Sequence, residues 1–107
     1  MTAEALMVGT VAYDQKVVPI WEGIRDYFRG ADVEMDVVWF SNYDAQVAAL
    51  LAGWIDVAWN TNLAYLRVHR ETGGTCRVLA MRDTDVGFRT LLVGRAGELA
   101  RSSDLKG

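Results

Sequence analysis

Short apolar or β-branched runs alternate with segments of helical period along this chain, and that alternation restricts the fold more than any other feature. Leu6 to Tyr13 is a mostly apolar run around Gly9 and Thr10, as a strand covered on both faces would be. A polar turn, Asp14-Gln15-Lys16, follows. Val17, Ile20, Trp21, Ile24, Tyr27 and Phe28 then recur at helical spacing, with Pro19 near the start and Gly30 placed to end the helix. Val33 to Phe40 is rich in β-branched residues and reads as a second strand. Ser41 and Asp44 are spaced as a capping pair for a second helix. Its apolar face carries Val47, Leu50, Leu51 and Trp54, and it stops near Gly53. Ile55 to Trp59 reads as a third strand. Asn60, Thr61 and Asn62 offer N-caps to a third helix that Gly73-Gly74 closes. Leu63 and Leu66 face inward there, with Tyr65 and Val68 as further candidates. Cys76 to Met81 and Phe88 to Val93 read as fourth and fifth strands around a polar loop over Arg82 to Gly87.

The order β-α-β-α-β-α-β-β predicts an α/β fold with a largely parallel five-stranded sheet, helices on both faces and right-handed crossovers. A chain of 107 residues allows one small domain at most. With 51% hydrophobic and 23% charged residues, its composition is that of a globular protein. A net charge of −3, both signs scattered, argues against nucleic acid, which calls for a concentrated basic face. It does not argue against a small anion, because neutral donors at a helix N-terminus can hold one. Cys76 is the single cysteine, so no intrachain disulfide can form, and it reads as a small buried hydrophobe in a strand. No apolar stretch approaches the roughly 20 residues needed to span a bilayer. Met1 to Met7 lacks a basic region followed by an apolar run, so this N-terminus does not read as a signal peptide.

In open α/β sheets ligands bind outside the carboxyl ends of the strands. Here those ends are Tyr13-Asp14, Ser41-Asn42-Tyr43, Asn60-Thr61-Asn62 and Arg82-Asp83. Two of them coincide with expected helix N-termini, where exposed N–H groups and the helix dipole favour an anion. Ser41, Asn42, Asn60, Thr61 and Asn62 either cap helices alone or cap them and touch a ligand as well. Tyr13 and Tyr43 either pack at the edge of the core or offer a flat apolar face with a polar tip. Trp39 and Trp59 read as core, and Arg82, Asp83 and Asp85 as a solvated turn. His69 reads as a surface residue with no second ligand at metal spacing. There is no Walker loop, dinucleotide fingerprint, HExxH, CxxC or nucleophile elbow, and Asp14, Asp44 and Asp56 make no obvious acid/base pair. No catalytic residue, metal or cofactor is expected.

The segment Asn42 to Asn60 has an aromatic residue opening a helix and a small residue ending it. A strand of the form Ile-Asp-Val-Ala then leads into a polar turn. This resembles the hallmark stretch of the phosphate, phosphite and phosphonate substrate-binding proteins of ABC transporters, which are type II periplasmic binding proteins. Gly9 to Tyr13 is similar to that family's first strand and ligand-facing turn, and Asp83 to Val93 to its later loop and strand. Ser103 to Gly107 is similar to the stretch where the chain crosses to the second lobe.

The resemblance implies that residues 1–107 form the first, three-layer α-β-α lobe of a bilobal protein, ending before the second lobe. It implies a small oxyanion ligand in an interlobe cleft, a partner ABC permease if the protein is exported, and a periplasmic or extracellular membrane-associated location. The lack of a signal peptide keeps a cytoplasmic location open. Tyr43 matches the family's ligand-touching aromatic at the helix start, and Tyr13 and Thr90 fall at its first-lobe cleft positions. Asn60 stands where the family places an aromatic residue, which opens the choice to another oxyanion or small metabolite. The family's main anion-gripping turn lies in the second lobe, so binding by this chain alone should be weak. Apolar surface near the fifth strand is expected to be exposed, and a homodimer is the expected consequence. The alternative is a cytoplasmic enzyme or metabolite-sensing domain on the same bilobal fold. A reactive Cys or His at the cleft would mark the enzyme, and neither Cys76 nor His69 is expected there.

Overall fold

A computed structural model describes residues 4–97 and Arg101. The described residues fall into two units divided between Arg77 and Val78.

The first unit is built from β1 (Leu6–Val11), α1 (Val17–Gly30), β2 (Met35–Phe40), α2 (Tyr43–Leu51), β3 (Val57–Ala58) and α3 (Asn62–Glu71). The three strands form a parallel sheet in the order β2-β1-β3. Leu6 pairs with Met35 and the register runs on to Val11 with Phe40; on the other side Val8 pairs with Val57. With β1 central, its residues from Val8 to Val11 are all buried, which matches the nearly continuous apolar run in the sequence. The chain steps from β1 to β2 in one direction and from β2 back past β1 to β3 in the other. Right-handed crossovers in opposite directions require α1 and α2 on opposite faces. The core holds Val8, Val11, Val17, Met35, Val47, Ala49, Ile55, Ala64 and Val68.

All three helices close by one device. At α2 the Gly53 N–H donates to the Leu50 carbonyl and the Trp54 N–H to that of Ala49, with Gly53 at φ 80°. At α3 Gly73 and Gly74 donate to Arg70 and His69 in the same way. These are Schellman closures, which need a left-handed residue just past the helix. At α1 that residue is Asp32, at φ 62°, donating to Arg29, while Val33 donates to Phe28. Gly30 ends the helix as expected, as its last residue, while the left-handed position falls on Asp32. Because a Cβ is costly in this region, Asp32→Gly should raise stability by about 0.5–1 kcal/mol, less than for most residues since Asp tolerates the conformation. Urea denaturation with an unchanged slope would read the gain.

Several expectations are corrected. The α2 cap is Asn42, whose Oδ1 accepts from Ala45 N at 2.8 Å, so the Ser41/Asp44 spacing was one residue out of phase. The buried residues of α2 are Gln46, Val47 and Ala49, while Leu51 and Trp54 are exposed. In α3 Ala64 and Val68 are buried and Leu63 and Leu66 exposed. The two helices meet through Val47, Ala64 and Val68, with Tyr43, Leu50 and Cys76 packed against them. Small side chains at the seam bring the helices close and leave the bulkier leucines outside. Cys76, expected buried in a strand, is half-buried against the helices and lies outside any strand.

The sheet has three strands among the described residues, not five. Residues 76–81 and 88–93 are irregular, and the described residues of the second unit contain one short 3-10 turn, Asp83–Asp85. Both segments are apolar enough for strands, but a strand also needs a neighbour for its backbone groups. Val78, Leu79, Met81, Phe88, Leu91, Leu92 and Val93 are exposed. The expected crossing at Ser103 to Gly107 lies outside the described residues.

Candidate functional site

Parallel pairing sends the carboxyl ends of β1, β2 and β3 to one edge of the sheet. There the Ala12 N–H donates to Phe40 and the Trp59 N–H to Gly9, each at 2.9 Å. The loop after β1, the start of α2 and the start of α3 therefore gather at this edge.

Tyr43 opens α2, half-buried on the Val47–Ala64–Val68 seam. Burial first, and then the charge that a nearby Tyr13 phenol would carry, push its ionisation above the ordinary tyrosine value. The hydroxyl therefore stays protonated at neutral pH, able to donate and to accept. Tyr13 follows β1 and Tyr43 follows β2, so the parallel sheet places both at this edge. Tyr13 is 73% exposed, so its ring is open to solvent.

The capping reading accounts for part of the polar set. Asn42 spends its Oδ1 on Ala45, and Thr61 Oγ1 accepts from Ala64 N at 3.3 Å. Asp14 accepts from Lys16 N at 2.8 Å and so shapes the entry to α1. Asp44 pairs with Arg67 of α3. Asn62 is an exposed first residue of α3. The first-turn N–H groups of Tyr43, Asp44, Asn62 and Leu63 are the donors that helix geometry leaves without an intrahelical acceptor. Trp59 packs edge-on against Trp21 of α1, ring centres 6.0 Å apart. Trp39 and Trp59, expected in the core, are each more than one-third exposed.

Thr90 is an exposed residue of the second unit, outside any regular element. Arg82 and Asp85 form the expected polar turn, with Arg82 Nε and Nη2 each donating at 2.9 Å to the Asp85 carboxylate. That pairing holds the Asp85 carboxyl below its ordinary value.

Sequence reasoning missed Gln46. It is fully buried, and its Nε2 donates to the Trp59 carbonyl and to Asn60 Oδ1, both at 2.8 Å. The signal was present: Gln46 lies three and four residues before Ala49 and Leu50, on the inward side of a nearly apolar helix.

The arrangement offers two aromatic hydroxyls, two helix N-termini and a polar turn at one sheet edge. Among the described residues no cluster of side chains could hold a metal ion, and no helix is long and apolar enough to cross a membrane. The model of one family, the ABC transporter phosphonate periplasmic substrate-binding proteins, matches residues 8–107. The chain belongs to that family. No curated protein and no solved structure matches it. The family consists of transporter receptors and not enzymes, and the α/β fold with its parallel sheet is compatible with one lobe of such a receptor.

Proposed function

We propose that this chain is the first lobe of a periplasmic receptor that binds phosphonate, phosphite, phosphate or a related small oxyanion and delivers it to an ABC permease. It supplies one side of the cleft between two lobes. The observation that carries the reading is the convergence of Tyr13, Tyr43 and the N-termini of α2 and α3 at one sheet edge, in a member of the phosphonate receptor family. Helix N-termini supply donors and favourable dipoles for an anion, and the tyrosines supply flat apolar faces with hydroxyl tips. Asn60, Thr61 and Asn62 form the polar turn beside them. In this reading residues 76–81 and 88–93 become the fourth and fifth strands when the lobe is fully paired, and Thr90 reaches the cleft on the fifth.

One lobe covers one side of the ligand, so binding by this chain is weak. A thermal-shift series with millimolar phosphate, phosphite, methylphosphonate, 2-aminoethylphosphonate and sulfate tests the reading. A ligand that binds the folded state raises Tm by mass action. One of these oxyanions is expected to raise Tm, and Tyr43→Ala is expected to weaken its binding several-fold. No shift with any of them would count against an anion site on this lobe. An unchanged shift in Tyr43→Ala would remove Tyr43 from it.

A further inference from the structure

A fully buried amide on α2 reaches across to the turn that opens α3. Gln46 Nε2 donates one hydrogen bond to the Trp59 carbonyl and one to Asn60 Oδ1, each at 2.8 Å. Both acceptors are oxygens, so Gln46 must present its NH2 to them, and its own orientation is decided by the network. The same contact decides Asn60. Turned the other way, Asn60 would set its NH2 against the NH2 of Gln46, donor against donor. Asn60 Oδ1 is therefore committed inward. Its Nδ2, on a half-buried residue just ahead of the α3 N-terminus, takes no hydrogen-bond partner among the described residues.

Gln46 satisfies its surroundings only in part. Its Oε1 is buried without a partner, close to Gly9 of β1. An apolar side chain of similar size would remove that oxygen, but it would leave the Trp59 carbonyl and Asn60 Oδ1 without their donor. Nor could it hold the Asn60 amide in one orientation.

We infer that Gln46 is a positioning residue that fixes Asn60 as a hydrogen-bond donor at the sheet edge, so that this subsite selects a hydrogen-bond-accepting, unprotonated oxygen of the ligand. The inference rests on the receptor reading above. An aromatic side chain at position 60 would offer a ring face; the locked amide offers two N–H groups beside the free donors of α3. An anionic oxygen satisfies both sets, and a ligand ammonium group meets only like-oriented donors.

The test uses the full chain, with methylphosphonate and phosphate as probes. Asn60→Asp keeps the oxygen that Gln46 holds and the side-chain volume, and turns the other end from donor to acceptor. It should keep the melting temperature of the free protein and weaken methylphosphonate binding by at least about tenfold. Gln46→Met should weaken binding less, by freeing the amide without reversing it. In the unliganded protein, the side-chain NH2 of Gln46 should exchange with solvent far more slowly than an exposed amide. Rapid exchange there overturns the lock whatever the ligand. Wild-type affinity in Asn60→Asp, with Tyr43→Ala still impaired, overturns this inference and leaves the receptor reading standing. Failure of the wild-type chain to bind either probe overturns this inference, and failure with all five oxyanions of the thermal-shift series overturns the receptor reading as well.

Discussion

Gly9→Ala should destabilise the fold by about 1–3 kcal/mol, and Ile55→Val should cost less in that background than it does alone. A Cβ built on Gly9 would lie 2.6 Å from Ile55 Cδ1, 3.0 Å from Phe40 Cε2 and 3.3 Å from Gln46 Oε1. The first distance is a collision. Ile55 is buried and has little room to swing aside. Gly9 has an ordinary strand conformation, so the penalty comes from packing and not from the backbone. Replacing Gly by Ala in a strand would by itself gain about 0.5–1 kcal/mol of chain entropy, and the collision has to exceed that. Ile55→Val alone should cost about 0.5–1.5 kcal/mol. It removes the Cδ1 in the way, so the double variant should be more stable than the sum of the two single losses predicts, by about 1 kcal/mol. Urea midpoints at constant slope give all four corners of this cycle. A neutral Gly9→Ala would mean that Ile55 does not approach β1 as closely as described.

That close approach also separates what was legible in the sequence from what was not. The β-α-β-α-β-α succession and its strand positions follow from runs of Val, Ile, Phe and Trp and from helical spacing, because each run is a local pattern. Parallel pairing follows from the alternation itself. The inward faces of α2 and α3 were less legible. Between Tyr43 and Leu51 the helix is apolar on nearly every side, so periodicity fixes no phase, and a reading by size chooses Leu51 and Trp54. The structure buries Gln46, Val47 and Ala49 because close packing at the seam and against Gly9 rewards small or well-bonded side chains. Asn42 took the cap from Ser41 for a comparable reason: both residue types serve, and the exact phase of the first turn decides. The αL position at Asp32 carries no glycine to announce it. Residues 76–81 and 88–93 have strand composition, yet pairing depends on neighbours that composition does not describe. Of the candidate site, the positions of Tyr13 and Tyr43 just beyond β1 and β2 were legible, because a strand end is a local feature. The connection between Asn60 and α2 was not, since residues 46 and 60 meet only after β3 is laid beside β1.

Asp56→Ala should cost about 1.5 kcal/mol, the low end for a hydrogen bond to a charged acceptor, because the carboxylate is exposed. Asp56 lies in the Ile-Asp-Val-Ala stretch that most resembles the family, which invites a ligand role. Its contacts point to a brace. The Asp56 N–H donates to the Met7 carbonyl at 2.8 Å, and the Asp56 carboxylate accepts from the Met7 N–H at 2.9 Å. β3 begins only at Val57, immediately after the turn that closes α2, so the sheet has no β3 backbone carbonyl in place for that N–H. The carboxylate substitutes for one, and the same residue thus satisfies both backbone groups of Met7. Asp56→Asn keeps an acceptor and loses only the charge, so it should retain roughly half of the stabilisation. Amide exchange distinguishes this brace from a general surface effect: the Met7 N–H should exchange faster in Asp56→Ala, while that of Leu6, bonded to the Glu34 carbonyl on the β2 side, should change only with global stability. Affinity for any oxyanion should fall no further in Asp56→Ala than the lost stability accounts for. A larger, ligand-specific loss would move Asp56 from the framework into the site.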